Sequence, residues 1–221
     1  MLPWLPPMLQ QLFLDAAIET LTMVAGAALI AVVIGLPLAL LLHATDRGGL
    51  AQNGLVNRPL GLLINAVRST PFIILMVAIV PFTRLVAGTS IGTTAAIVPL
   101  ALASTAFIAR LFETAFREVD RGVVEAARAM GATRMQIMWK VLVPEAMPGL
   151  IAAVTVTLVS LVGYSAMAGA VGGGGLGDLG IRFGYQRFMP EVMASVVVVL
   201  ILFVQGLQSL GDWLVRRARR R

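Results

Sequence analysis

Residues 21–42 read LTMVAGAALIAVVIGLPLALLL, with no Asp, Glu, Lys or Arg among them. A helix needs about 20 mostly apolar residues to cross the hydrocarbon core of a bilayer, so this stretch is long enough by itself. Pro37 predicts a kink near its end. Four more uncharged stretches follow, at residues 69–83, 91–109, 146–177 and 192–211. The 69–83 stretch is short for a span and is expected to borrow residues 60–67, which puts Arg68 near the interface. The 146–177 stretch is longer than one span requires. Barrel strands are a poor alternative, because they need alternating segments of about 10 residues. The expected fold is an all-α polytopic membrane protein with about five transmembrane helices, a single unit over residues 1–221.

Composition points the same way. Hydrophobic residues make up 58% of the chain and charged residues 13%, against about 25% charged in soluble domains. Cysteine is absent, which excludes disulfides, thiol nucleophiles and thiolate metal sites. His43 is the only histidine, so His-based metal clusters are excluded by count, and no catalytic or metal residue is assigned. The net charge of +6 could suggest nucleic acid, but its placement does not. Arg216, Arg217, Arg219, Arg220 and Arg221 follow an apolar run directly, as a cytoplasmic membrane flank does. Residues 1–11 lack Lys and Arg, hence the basic region of a signal peptide, and the first stretch is expected to stay as a helix.

Basic residues also set an orientation. Arg47, Arg58 and Arg68 follow the first span. Arg110, Arg117, Arg121, Arg128, Arg134 and Lys140 follow the third, and the terminal arginines follow the fifth. That places 14 of the 17 basic residues on one side and leaves Arg84, Arg182 and Arg187 on the other. The positive-inside rule then predicts an external N-terminus and a cytoplasmic C-terminus, which an odd number of spans also requires.

The longest inner connection lies between the third and fourth spans. Residues 118–130 read as a helix, with Glu118–Arg121, Arg121–Glu125 and Glu125–Arg128 spaced to pair along one face. Val119, Val123, Ala126, Ala127 and Met130 supply an apolar face. Gly131 stops the helix, a second short helix is expected over 133–142, and Pro144 is expected to break the chain before the fourth span. The alternative is a charged loop with solvated helices.

The spacing Glu125-Ala126-Ala127, three residues, Gly131, nine residues, Val141-Leu142-Val143-Pro144 resembles the EAA signature of ABC importer permeases. Val141 stands for the usual Ile and Val143 for the usual Leu. The blocks Arg68-Ser69-Thr70-Pro71-Phe72, Phe107-Ile108-Ala109-Arg110 and Leu161-Val162-Gly163-Tyr164-Ser165-Ala166-Met167 look like those of methionine-importer permeases, within a resemblance running over about residues 65–185. The resemblance implies a coupling segment over 114–145, in which Glu125, Ala126, Ala127, Gly131 and Pro144 dock on an ATP-binding subunit. It implies an assembly of two copies of this chain, two ATPases and an extracytoplasmic solute-binding protein in the bacterial inner membrane, surrounded by lipid. Methionine, or another small amino acid, is the substrate it implies, moved by alternating access. ATP and Mg would be bound by the partner, and the chain itself is expected to be no enzyme and to hold no cofactor.

Other features fit that reading. No G-x-x-x-x-G-K-[ST] occurs, so the chain has no P-loop of its own. Gly172, Gly174 and Gly177 fit G-x-G-x-x-G, but a membrane span precedes them where a strand is needed; a turn capping the fourth span is the simpler reading, and glycines that let the outer mouth change shape are the functional one. Thr155, Thr157 and Ser160 suit helix packing. Tyr164, Ser165 and Met167 interrupt small aliphatics midway along the fourth span and are candidates for a translocation path between two copies. A membrane-embedded enzyme would need a catalytic constellation within the spans, which the uncharged stretches do not offer. An accessory subunit that moves nothing is the other rival.

Overall fold

The computed structural model describes residues 7–219; the N-terminal residues before Pro7 and the terminal Arg220 and Arg221, counted in the charge argument, lie outside the described residues. The chain is helical throughout, with α1 over Pro7–Thr45, α2 over Gly54–Ser69, α3 over Phe72–Ala78, α4 over Val80–Ala87 and α5 over Thr93–Arg117. The connection after α5 contains α6 over Arg121–Ala129, α7 over Arg134–Ile137, a wide π-helical turn over Met138–Leu142 and α8 over Val143–Glu145. Then come α9 over Met147–Ala168, a glycine turn, α10 over Gly175–Leu179 and α11 over Pro190–Ala218. Among the described residues four helices are long and apolar enough to cross a membrane, or five when the bent pair α2–α3 counts as one span.

The differences from the sequence expectation have local causes. α1 begins well before residue 21 and carries Asp15 and Glu19, with Pro37 inside it. The second span is not one straight helix: α2 and α3 meet at 107°. Pro71 pushes Thr70 into extended backbone (φ −84°, ψ 125°) and so ends α2. Residues 146–177 are not one helix either, because the chain reverses at residues 169–174, where Gly172 and Gly174 have φ of 90° and 82°. Nor does Pro144 break the chain. It sits at the start of α8, directly behind the π-helical turn, and the path stays helical through Leu142 (φ −64°, ψ −47°) and, after a turn at Ala146, into α9.

Between membrane helices the lipid gives little hydrophobic drive, so close backbone approach through small residues decides the packing. Ala27, Ala31 and Ala39 on α1 are fully buried. They line up with Gly35, where an added Cβ would come within 2.5 Å of Ile108 Cγ2 on α5. This stripe lays α1 against α5 along its length, and Met23, Leu100 and Leu161 close the core where α9 joins them. α11 meets α9 at Gly211, where a Cβ would collide with the Thr155 side chain.

Candidate functional site

At the end of the bundle where α1 stops and α9 starts, α6 is held to the body by few contacts. Asp120 caps it, its carboxylate accepting the Gly122 N–H at 2.7 Å. Ala127 is buried against Leu50 and Ile137, which fixes the helix to the α1–α2 connection and to α7. Gly131 ends it with φ 82°, a conformation that costs a side-chain-bearing residue about 1–2 kcal/mol. Thr133 and Gln136 form a reciprocal capping box that starts α7. Glu125 and Ala126 are exposed. Val123, Met130, Met135 and Trp139 are exposed as well, on the same segment as Ala126 and Gly131. A Cβ at Gly131 meets nothing in this chain; within it, the glycine is required by φ and not by crowding. The ion pairs expected along 118–128 are not formed: among the described residues, no pair within 4.0 Å involves Glu118, Arg121, Glu125 or Arg128.

The charges pair instead at the C-terminal end of α5. Buried Glu113 accepts from Arg110 at 2.6 Å and from Arg117 at 2.7 Å. Arg117 reaches Asp46 at 2.9 Å, and Arg110 donates to the Gly61 carbonyl at 3.1 Å. One network therefore ties α5 to the end of α1 and to α2. The Arg47 backbone N–H on Asp46, helped by the Arg117 guanidinium, holds the Asp46 carboxyl below the usual aspartate range.

At the opposite end the chain after α9 folds back as a glycine hairpin. Gly174 (φ 82°, ψ −163°) lies in a region open essentially to glycine alone. A Cβ there would sit 2.7 Å from Glu19 Oε2, and one at Gly175 would sit 2.6 Å from Thr20 Oγ1. That closeness lets Glu19 accept the Gly175 N–H at 2.6 Å and Thr20 accept the Leu176 N–H at 2.9 Å. Two side chains of α1 thus cap the start of α10, satisfying donors that α10 cannot satisfy itself. The Gly92 N–H donates to the Gly172 carbonyl at 2.9 Å, which ties the start of α5 to the same hairpin.

The three candidates on α9 point in different directions. Ser165 is buried, its hydroxyl donating to the Val162 carbonyl at 2.8 Å. Tyr164 is half-buried and stacks on Phe72 of α3, with centroids 4.8 Å apart. Met167 is 48% exposed and shares an open face with Ala152, Val156, Gly163 and Ala170. Gly163 has no neighbour within 4 Å of where its Cβ would be. Among the described residues no group of three His, Cys, Asp or Glu side chains could hold a metal ion.

A family model described as the binding-protein-dependent transport system inner membrane component matches residues 31–221. The chain belongs to this family. Among its relatives are the probable D-methionine transport system permease protein MetI of Vibrio cholerae, 55% identical over 95% of this chain and 93% of that protein, and the methionine import system permease protein MetP of Bacillus subtilis, 45% identical over 78% of each. The fold matches inward-facing conformations of the MetNI methionine ABC transporter with a TM-score of 0.95, at 47% identity, over 97% of this chain and 99% of that one. As an inner-membrane component, the chain is a multi-pass membrane protein whose apolar helices cross the bilayer.

Sequence reading missed two parts of this permease. Glu19 and Thr20 lie before the first uncharged stretch and so escaped notice; the usable signal was a carboxylate beside an apolar helix, which needs a partner wherever it is shielded from water. Arg110 and Arg117 enter the sequence reading only as basic residues after the third span, and Glu113 not at all, although their spacing of three and four is that of a paired helix face.

Proposed function

We propose that this chain is the membrane-spanning subunit of a methionine importer that works as a twofold pair with two ATP-binding subunits and an external solute-binding protein. The observation that carries the reading is the match, over nearly the whole of both chains, to the MetNI methionine ABC transporter. The domain is then one permease unit with its coupling segment over residues 114–145. In that segment Glu125, Ala126, Gly131 and the surrounding Val123, Met130, Met135 and Trp139 meet the ATPase, while Ala127 and Pro144 hold the segment in place. ATP and Mg reside on the partner, and this chain supplies no P-loop. The open face of α9 lies on the twofold axis, with Met167 on the path and Tyr164 and Ser165 behind it. Met167 presents a soft, polarizable surface suited to a thioether side chain. ATP-driven closure of the partners draws the two α6 helices together, and the Arg110–Glu113–Arg117–Asp46 network passes that movement to α1, α2 and α5.

In this reading the N-terminus is external and α6 is cytoplasmic. Since the native chain has no cysteine, single cysteines test this cleanly. Exposed Tyr185 and Gln52 are suitable sites on opposite ends. Tyr185→Cys is expected to react with a membrane-impermeant maleimide added outside, and Gln52→Cys only after the membrane is opened. The reverse pattern would overturn the orientation.

A further inference from the structure

Thr20, Thr70, Thr155 and Thr157 turn their hydroxyls onto the carbonyl four residues earlier, at 2.8–3.0 Å, an ordinary choice for a threonine in a helix. Thr83 on α4 does not. It is 4% exposed, and its Oγ1 has no hydrogen-bond partner among the described residues. A buried hydroxyl without a partner is costly and rare. A second polar group nearby lacks its usual partner for a different reason. Pro99 lies inside α5 and has no N–H, so the Ala95 carbonyl has no donor four residues on. Ala95 and Pro99 stand on one face of α5. That face and Thr83 line the same cavity, of about 30 Å³, between α4, the start of α5 and the glycine turn after α9. Ser90 lines it too; its hydroxyl accepts from Arg84 Nε at 3.3 Å and keeps a proton to donate.

We propose that this cavity is the site of an ordered water that donates to the Ala95 carbonyl on α5 and bonds the Thr83 hydroxyl on α4. A buried water needs ~10–15 Å³ and two to four polar partners, and the cavity offers both. Ligand pockets start near ~300 Å³, so an amino acid does not fit. Among the described residues that line the cavity none is charged, which leaves a metal ion without a counter-charge. The inference concerns hydrogen bonding within this chain and does not depend on what is transported. Gly92 and Gly173 line the same cavity, next to the bond from the Gly92 N–H to the Gly172 carbonyl that ties α5 to the hairpin. α4 therefore meets α5 beside the hairpin through an exchangeable bridge. A water can give up one partner and take another, so the two helices can shift without stranding either polar group.

The test is a density map of the solubilised, assembled transporter at a resolution that shows ordered water. A peak about 2.7–3.2 Å from both Thr83 Oγ1 and the Ala95 oxygen is expected, and it should persist when sodium and potassium are replaced by choline. T83S is expected to keep the peak and T83V to lose it. Well-ordered side chains around a site without a peak overturn the proposal, as does a peak that leaves with the small cations. Thermal unfolding reads the site independently. T83V keeps the side chain's shape and removes the hydroxyl. For a stranded hydroxyl that removal would be neutral or stabilising; with the bridge in place, T83V lowers the unfolding temperature of the permease by about 2–4 °C. P99A gives the Ala95 carbonyl its donor back, so T83V should cost less in a P99A background. An unchanged or raised unfolding temperature in T83V overturns the bridge, as do additive effects of T83V and P99A. Should T83V fail to assemble, the wild-type map decides alone.

Discussion

At Glu19 one carboxylate oxygen accepts the Gly175 N–H at 2.6 Å, and only the bare backbone of Gly174 and Gly175 lets α10 come that near to α1. Nothing in the run of apolar residues after Glu19 points to a partner 156 residues away; the contact exists only once α9 has reversed. Glu19→Leu leaves that N–H without an acceptor in a partly buried place, at a cost of about 1–3 kcal/mol, and Gly174→Ala should cost a similar amount through its φ and ψ. Both are expected to lower the unfolding temperature of the solubilised permease, whereas Asp15→Leu, on the exposed side of the same helix, should not. The inner network has a pH signature. Folding depresses the Asp46 pKa, so its stabilising effect is complete above the ordinary aspartate value of about 3.9 and is lost as pH falls through the lower folded value. Asp46→Asn should therefore destabilise the permease at neutral pH, and the gap to wild type should close in acid. A gap that stays constant with pH would mean that the Asp46 charge contributes nothing.

Long apolar stretches showed where α1, α5, α9 and α11 lie, because burial in lipid is legible residue by residue. Their ends were not legible, since those depend on tertiary partners: α5 continues past Ala109 on paired charges, and α9 stops early where glycines reverse the chain. The α2–α3 break was signalled by Pro71 but was masked by hydropathy continuing across it. Of the candidate site, the segment proposed for coupling stands out in the sequence as a fixed spacing, whereas the directions of Tyr164, Ser165 and Met167 depend on which face of α9 meets α1 and α3. Two substitutions test the elements. Gly131→Leu forces a side chain onto φ 82° and into the exposed docking surface; it should insert normally but lose ATPase co-purification or uncouple hydrolysis from uptake. Normal coupled transport would separate Gly131 from docking. Met167→Trp should reduce uptake at least tenfold without losing the ATPase, which is about 1.4 kcal/mol on the transport barrier. Leu202→Trp, on the exposed face of α11, is the control and should transport normally. Equal uptake by the two variants would take the open face of α9 off the path.

For the molecule as a whole, the two ends are built differently. One end is closed by hydrogen bonds from α1 and α5 to a glycine hairpin, with little room for adjustment. The other is held by ion pairs, a small apolar cluster and a cavity, and α6 stands partly clear of the body. In the proposed reading such a chain suits a machine driven from the α6 end, in which force enters at α6, passes through α5 and α1, and reaches the hairpin. Hydropathy and the positive-inside pattern gave the number of spans and an orientation, but this asymmetry depends on contacts between distant segments and became visible only in three dimensions. The most direct test of the account is uptake of labelled methionine into vesicles that hold the permease with its ATPase and solute-binding protein, measured with and without ATP on the ATPase side. Accumulation that requires ATP and the binding protein, and that unlabelled methionine suppresses, is the predicted result. An assembled complex that hydrolyses ATP yet moves no methionine would contradict it.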